Sequence, residues 1–78
     1  MKLPRNLTGV QVVKLLEPLG YHVTRQTGSH IRISLQNGSH HVTIPAHNPI
    51  KTGTLSAILS DVAAHFGIKK DELLNRLM

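Results

Sequence analysis

Apolar residues recur along this chain first with a helical period, then with a strand period, then with a helical period again. Val12, Val13, Leu16 and Leu19 fall on one face at helical spacing. Thr8 is a good N-cap for that helix, and Gln11 three residues on completes a capping box. Leu7 and Val12 are spaced as a hydrophobic staple, and Gly20 suits the left-handed position beyond the helix end. Pro18 in the last turn ends the regular helix early or bends it.

Alternation then takes over in Tyr21–Gln26, His30–Leu35 and His40–Ile44, with β-branched residues prominent. Asn37-Gly38 between the second and third segments is a strong hairpin signal. A two-residue turn there pairs Gln36 with Ser39 and sets Ile33 opposite Val42 and Ile31 opposite Ile44, so apolar faces apolar. For the first hairpin, a two-residue Gly28-Ser29 turn sets Thr24 against Ile33 and mixes the faces. A three-residue loop, Thr27-Gly28-Ser29, pairs Gln26 with His30, Val23 with Ile33 and Tyr21 with Leu35. The second register separates the faces and is the one expected, with Arg25 on the apolar side as its one misfit. It leaves a polar face of His22, Thr24 and Gln26, then His30, Arg32 and Ser34, then His41 and Thr43. It also brings His30 to the strand end where the third strand exits into Pro45-Ala46-His47.

A second helix is expected from Thr52 or Thr54, either of which can cap it. Leu55, Ile58, Leu59, Val62, Ala63 and Phe66 form its core-facing stripe, and Gly67 ends it. A short terminal helix runs through Asp71-Glu72-Leu73-Leu74. The order is α-β-β-β-α with a further helical turn: an α+β fold whose three-stranded antiparallel sheet carries its helices on one face. At 78 residues, one small domain over residues 1–78 is expected.

Charge changes the picture from fold to function. The net charge is +5, and no Asp or Glu occurs from Pro18 to Ser60, whereas Asp61, Asp71 and Glu72 lie in the final stretch. The acid-free span holds Arg25, Arg32 and Lys51 with His22, His30, His40, His41 and His47, a composition that attracts phosphate and points to nucleic acid. With one Tyr, one Phe and no Trp, a sheet that stacks bases on aromatic rings is disfavoured. No apolar run is long enough for a membrane span, no cysteine supplies a disulfide or thiolate, and Met1 to Leu7 lacks the apolar core of a signal peptide. A cytoplasmic protein without cofactor is expected.

Among the histidines, His30 is the strongest candidate for chemistry. It follows the Gly28-Ser29 turn, points to the polar face and has Arg32 on the same side, which sets a proton-transfer group beside a phosphate clamp. Lys51 lies where the second helix begins, a position that favours anions. A serine nucleophile at Ser29 activated by His30 is disfavoured, because neighbours at a strand end project to opposite sides. His40, His41 and His47 make a poor metal set, since His40 and His41 point to opposite faces and no carboxylate or thiolate joins them. His40 reads as structural on the helix-packed side, His65 as a surface residue complementing the helix dipole, and Lys69 and Lys70 as solvated charges.

Gly28-Ser29-His30 after the first strand, then Val42-Thr43-Ile44-Pro45-Ala46-His47, then Gly53-Thr54-Leu55 and Ile58-Leu59, resemble the HicA (YcfA-like) toxins of bacterial toxin–antitoxin systems. The resemblance runs from the helix at Thr8 to about Gly67. It implies a fold like the double-stranded-RNA-binding domain, an endoribonuclease (mRNA interferase) acting on single-stranded mRNA, and a cognate HicB-like antitoxin that covers the active site. The family's catalytic histidine lies in Gly-Ser-His, which corresponds to His30. On that basis His30 is expected as general base without a metal, with Gly28, Ser29, Arg25, Arg32, His47 and Lys51 contacting RNA. Arg32 or Lys51 would stabilise the phosphorane, and His47 is a geometric choice for second proton donor. A non-catalytic RNA-binding module on the same fold is the alternative.

Overall fold

The first helix, α1 (Gly9–Leu16), opens on the expected capping box. In the computed structural model, which describes residues 5–77, the Thr8 hydroxyl accepts from the Gln11 N–H at 3.2 Å while the Gln11 side chain accepts from the Thr8 N–H at 2.8 Å. Pro18 has the first of its two expected effects: α1 stops at Leu16, and Glu17–Leu19 continues as one 3-10 turn. Gly20 then takes the left-handed conformation at φ 103°, and its N–H donates to the Glu17 carbonyl.

Three strands follow in spatial order β1 (Tyr21–Thr27), β2 (His30–Leu35), β3 (His41–Pro45), all antiparallel. The β2–β3 register is the expected one, with Ile33 opposite Val42 and Ile31 opposite Ile44. Its turn is wider than the two-residue form expected. The ladder closes with the Leu35 N–H on the His40 carbonyl, and the four residues between are held by Gly38 N–H to Leu35 carbonyl and Ser39 N–H to the Asn37 side chain. Asn37 spends its side chain on that local bond, which favours the longer loop.

The β1–β2 hairpin departs from the uniform register expected. Tyr21 pairs with Leu35 and Val23 with Ile33, as the apolar pattern requires. Beyond a bulge between Val23 and Arg25 the register shifts, so that Arg25 pairs with Arg32, Gln26 with Ile31 and Thr27 with His30. The chain therefore closes with a two-residue Gly28-Ser29 turn, Gly28 sitting at φ +56° where that turn favours glycine. One extra residue, Thr24, reconciles the two registers. Its hydroxyl caps the irregularity, reaching the Arg32 carbonyl at 3.3 Å and the Ser34 hydroxyl at 3.2 Å.

Burial alternates along β2 and β3. Ile31, Ile33, Leu35, Val42 and Ile44 are buried, whereas His30, Arg32, His41 and Thr43 are exposed. The helices cover the first set only. Leu16 and Val12 of α1, Leu55, Leu59 and Val62 of α2 (Thr52–Phe66), and Leu73 and Leu74 of α3 (Lys70–Leu77) complete one core containing no buried polar side chain among the described residues. Val23 shares the helix-side register yet is 50% exposed, because β1 is an outer strand.

Two expectations for α2 need correction. Neither Thr52 nor Thr54 caps it: Ile50 is buried and gives its N–H to the Leu7 carbonyl at 2.7 Å. That bond holds the chain extended through Lys51, whose carbonyl accepts the first helical bond, from Leu55. The two threonines thus fall inside the first turn. Phe66, the last position of the apolar stripe, is 39% exposed and meets Tyr21 edge-on at the rim of the core. No helix among the described residues is long and apolar enough to cross a membrane.

Candidate nucleic-acid interface on the open sheet face

Residues paired across antiparallel strands share a face, so the register defines three rows on the uncovered side. Thr27, His30 and Pro45 form the first, Arg25, Arg32 and Thr43 the second, and His22, Ser34 and His41 the third. The bulge changes the composition of this surface. It takes Arg25 from the apolar side, where a uniform register leaves it a misfit, and sets it directly opposite Arg32.

Two guanidinium groups facing each other across strands repel unless an anion lies between them. No carboxylate relieves them: the one ion pair among the described residues, His40 with Asp61, is on the helix side. All four carboxylates lie in or beside the helices, at Glu17, Asp61, Asp71 and Glu72, and are matched there by Lys14, Lys69, Lys70 and Arg76. The surplus charge falls on Arg25, Arg32, Lys51 and the basic residues ahead of α1.

The turn at Gly28-Ser29 and the exit of β3 are joined by backbone. The Ala46 N–H donates to the Ser29 carbonyl at 2.6 Å, extending the β2–β3 ladder one step beyond the His30–Pro45 pair. His47 comes next, its carbonyl accepting the Gly9 N–H at 3.0 Å. That contact needs glycine at the start of α1. A Cβ on Gly9 would lie well inside contact distance of the Pro45 carbonyl oxygen and 2.9 Å from the Ala46 Cα. The segment carrying His47 is therefore clamped between the hairpin turn and α1, one step past the His30 row. Ile50, buried and bonded to Leu7, clamps its far end, and the Asn48–Pro49 peptide between them is cis.

Gly28, Ser29, His30, Arg32 and Arg25 thus gather at one end of the open face, with His47 just beyond the end of β3 and exposed. Lys51 is exposed at the N-cap of α2, where the free N–H groups of the first turn add to its charge. On the opposite face a second polar group assembles. His40 Nδ1 lies 2.6 Å from the Tyr21 hydroxyl, and its Nε2 lies 3.3 Å from Asp61. Burial, helped by the Asp61 charge, pushes the Tyr21 hydroxyl up to about 12. His65 is more than a dipole-complementing surface residue: it stacks on His40 with ring centroids 4.5 Å apart, and its Nε2 reaches the Ser39 hydroxyl at 3.2 Å. These contacts support the structural reading of His40 and bind the β2–β3 turn to α2. His40 and His41 face opposite sides of the sheet, and no group of three or more His, Asp or Glu side chains among the described residues is placed to hold a metal ion.

The placement of Arg25 on the open face is what alternation alone misses. Its signal is the competition between two hairpin registers, each favoured by a different part of the same segment.

No curated protein and no solved structure matches the chain. The family model described as the HicA toxin of bacterial toxin–antitoxin systems matches residues 9–63, from the first residue of α1 into the last turns of α2. That span contains the Gly28-Ser29-His30 turn, the arginine pair, the clamped His47 segment and Lys51. With more than half its length matched, the chain belongs to the HicA toxin family.

Proposed function

We propose that this toxin is a metal-independent endoribonuclease that cleaves single-stranded mRNA on the open face of its sheet. The observation that carries the reading is the Arg25–Arg32 pair, unrelieved by any carboxylate among the described residues and one row from His30. Two guanidinium groups there bind a phosphate diester and leave His30 beside it. His30 takes the proton from a ribose 2′-hydroxyl. The 2′-oxygen forms a bond to the adjacent phosphorus, and the bond from phosphorus to the 5′-oxygen breaks, leaving a 2′,3′-cyclic phosphate. The departing 5′-oxygen needs a proton, and His47, clamped just beyond the same row, is the donor. Arg32 and Lys51 stabilise charge on the phosphorane, and the peptide groups of Gly28 and Ser29 lie at the turn where the backbone approaches the substrate closely.

As a toxin of a toxin–antitoxin system the chain has an antitoxin partner. We read that partner as HicB-like, placing acidic side chains over Arg32 and Lys51 and covering His30. Complementary charge speeds capture, which matters when free toxin halts translation in the cytoplasm. The test is incubation of purified toxin, His30→Ala and His47→Ala with RNA and with an all-deoxy oligonucleotide. Parental toxin should cut only the RNA, His30→Ala should lose at least about a hundredfold in rate while melting normally, and His47→Ala should lose less. Cutting of the deoxy strand, or parental rates from His30→Ala, refutes the mechanism. Binding without cutting by parental protein would make this a non-catalytic RNA-binding module.

A further inference from the structure

The third row of the open face has no part in the chemistry above. It consists of His22, Ser34 and His41, paired across all three strands, with the two imidazoles flanking a central hydroxyl. Both histidines are exposed, and the helices pack on the other side of the sheet, so no group from α1, α2 or α3 faces them. The charged groups that do face them are Arg25 and Arg32 in the neighbouring row. Ser34 is half-buried beneath the row and fixed by its hydrogen bond to Thr24, the bulged residue.

Successive rows lie two residues apart on β2, about 7 Å. An extended single strand of RNA advances by about the same length per nucleotide, so a backbone laid along β2 meets one row with each phosphate. Across the sheet, neighbouring strands are about 4.8 Å apart, so His22 and His41 stand on either side of a phosphate centred over Ser34. A neutral imidazole offers one N–H to a phosphate oxygen, and a protonated one offers two with a charge. Apart from Pro45 at the end of the first row, no apolar side chain interrupts the rows, and no carboxylate among the described residues lies on this face to repel the strand.

We propose that His22, Ser34 and His41 form a phosphate subsite that holds the RNA backbone one nucleotide beyond the phosphate that Arg25 and Arg32 hold beside His30. The inference rests on the reading of this face as an RNA site, and it gives that site a direction: along β2, away from the Gly28-Ser29 turn. It predicts a footprint of three consecutive phosphates.

The test uses non-cleavable 2′-O-methyl oligonucleotides carrying one to five phosphates, with binding read by fluorescence anisotropy. Parental protein should gain affinity with each phosphate up to the third. A His22→Ala/His41→Ala variant should lose the third increment, binding the longer oligomers about fivefold more weakly, as for the net loss of one hydrogen bond. His65→Gln, changed on the helix side, should keep the full increment. Both substituted positions are exposed, and a thermal melt of the double variant confirms that it folds. The proposal is overturned if the double variant retains the third increment. Failure of the nuclease reading has a different signature: parental protein that shows the three-phosphate footprint yet leaves ordinary RNA uncut.

Discussion

Replacing Gly9 by alanine sets two physical effects against each other, and the structure decides the sign. At an unconstrained helical position alanine is favoured over glycine by about 1 kcal/mol. At Gly9 the added Cβ would overlap the Pro45 carbonyl oxygen and lie 2.9 Å from the Ala46 Cα and 3.1 Å from the Pro45 carbonyl carbon. All three are backbone atoms, so no side chain can swing aside. Relief requires α1 to move away from the end of β3, stretching the 3.0 Å bond from the Gly9 N–H to the His47 carbonyl. Overpacking costs about 1–3 kcal/mol, and backbone atoms that cannot give way put this site in the upper part of that range, about 2–3 kcal/mol. The net expectation is a loss of about 1–2 kcal/mol, and at about 4–8 °C per kcal/mol for a chain of this size the melting temperature falls by about 4–16 °C. Gly53 is the internal control. It lies in the first turn of α2, where an added methyl group would meet no atom within 4 Å, so Gly53→Ala should stabilise by about 0.5–1 kcal/mol. Far-UV circular dichroism against temperature and urea measures both. A Gly9→Ala protein as stable as the parent, or more stable, refutes the close approach and with it the clamp on His47.

Further outcomes follow from the same contacts. Tyr21 is the one tyrosine in a chain without tryptophan, so tyrosinate absorbance in the near ultraviolet reports it alone; its midpoint should be about 12 in the folded protein. Because the unfolded chain ionises near pH 10 and the folded chain holds its proton, stability should fall between about pH 10 and 12, by up to about 3 kcal/mol. A folded-state midpoint at about 10 contradicts the buried placement. Near neutral pH, RNA affinity should fall with salt at a log–log slope of about −2, for the three cationic side chains Arg25, Arg32 and Lys51 together, and Arg25→Ala should reduce the slope by about 0.7. An unchanged slope in that variant would put Arg25 outside the site. Cleavage should persist in EDTA; loss of activity restored by a divalent ion would contradict a proton-transfer mechanism built on histidine alone.

Local patterns in the chain carry most of the fold, and they fail where a local rule meets a distant constraint. The capping box at Thr8 and Gln11 spans three residues, and it forms as spacing predicts. The β2–β3 register follows from matching apolar positions about the Asn37-Gly38 turn. The β1–β2 hairpin is harder because its two ends ask for different registers. Tyr21 and Val23 favour one and Gly28-Ser29 the other, and a uniform ladder satisfies only one of them. The start of α2 escapes a local reading for a similar reason: Ile50 is tied to Leu7, far back along the chain, and no capping preference reports that bond. The His40 contacts with Tyr21, Asp61 and His65 are likewise long-range, invisible to period and spacing. Of the candidate site, His30, Arg32 and the exit toward His47 are legible, since they depend on strand alternation, while the partnership of Arg25 with Arg32 depends on the bulge.

The bulge at Thr24 also bears on what this protein does in its own company. β1 is an outer strand of the sheet, seven residues long, and its outward N–H and C=O groups form a template onto which another strand can add. A regular strand there, with Val23 half-exposed, would invite copies to join edge to edge into an endless ribbon. The irregular step at Thr24 breaks the repeat of that template near its middle, and Arg25 places a charge at the break. Two such edges brought together would bring their arginines together as well. The residue that faces Arg32 across the open face therefore also makes this edge a poor template for a second copy of the chain.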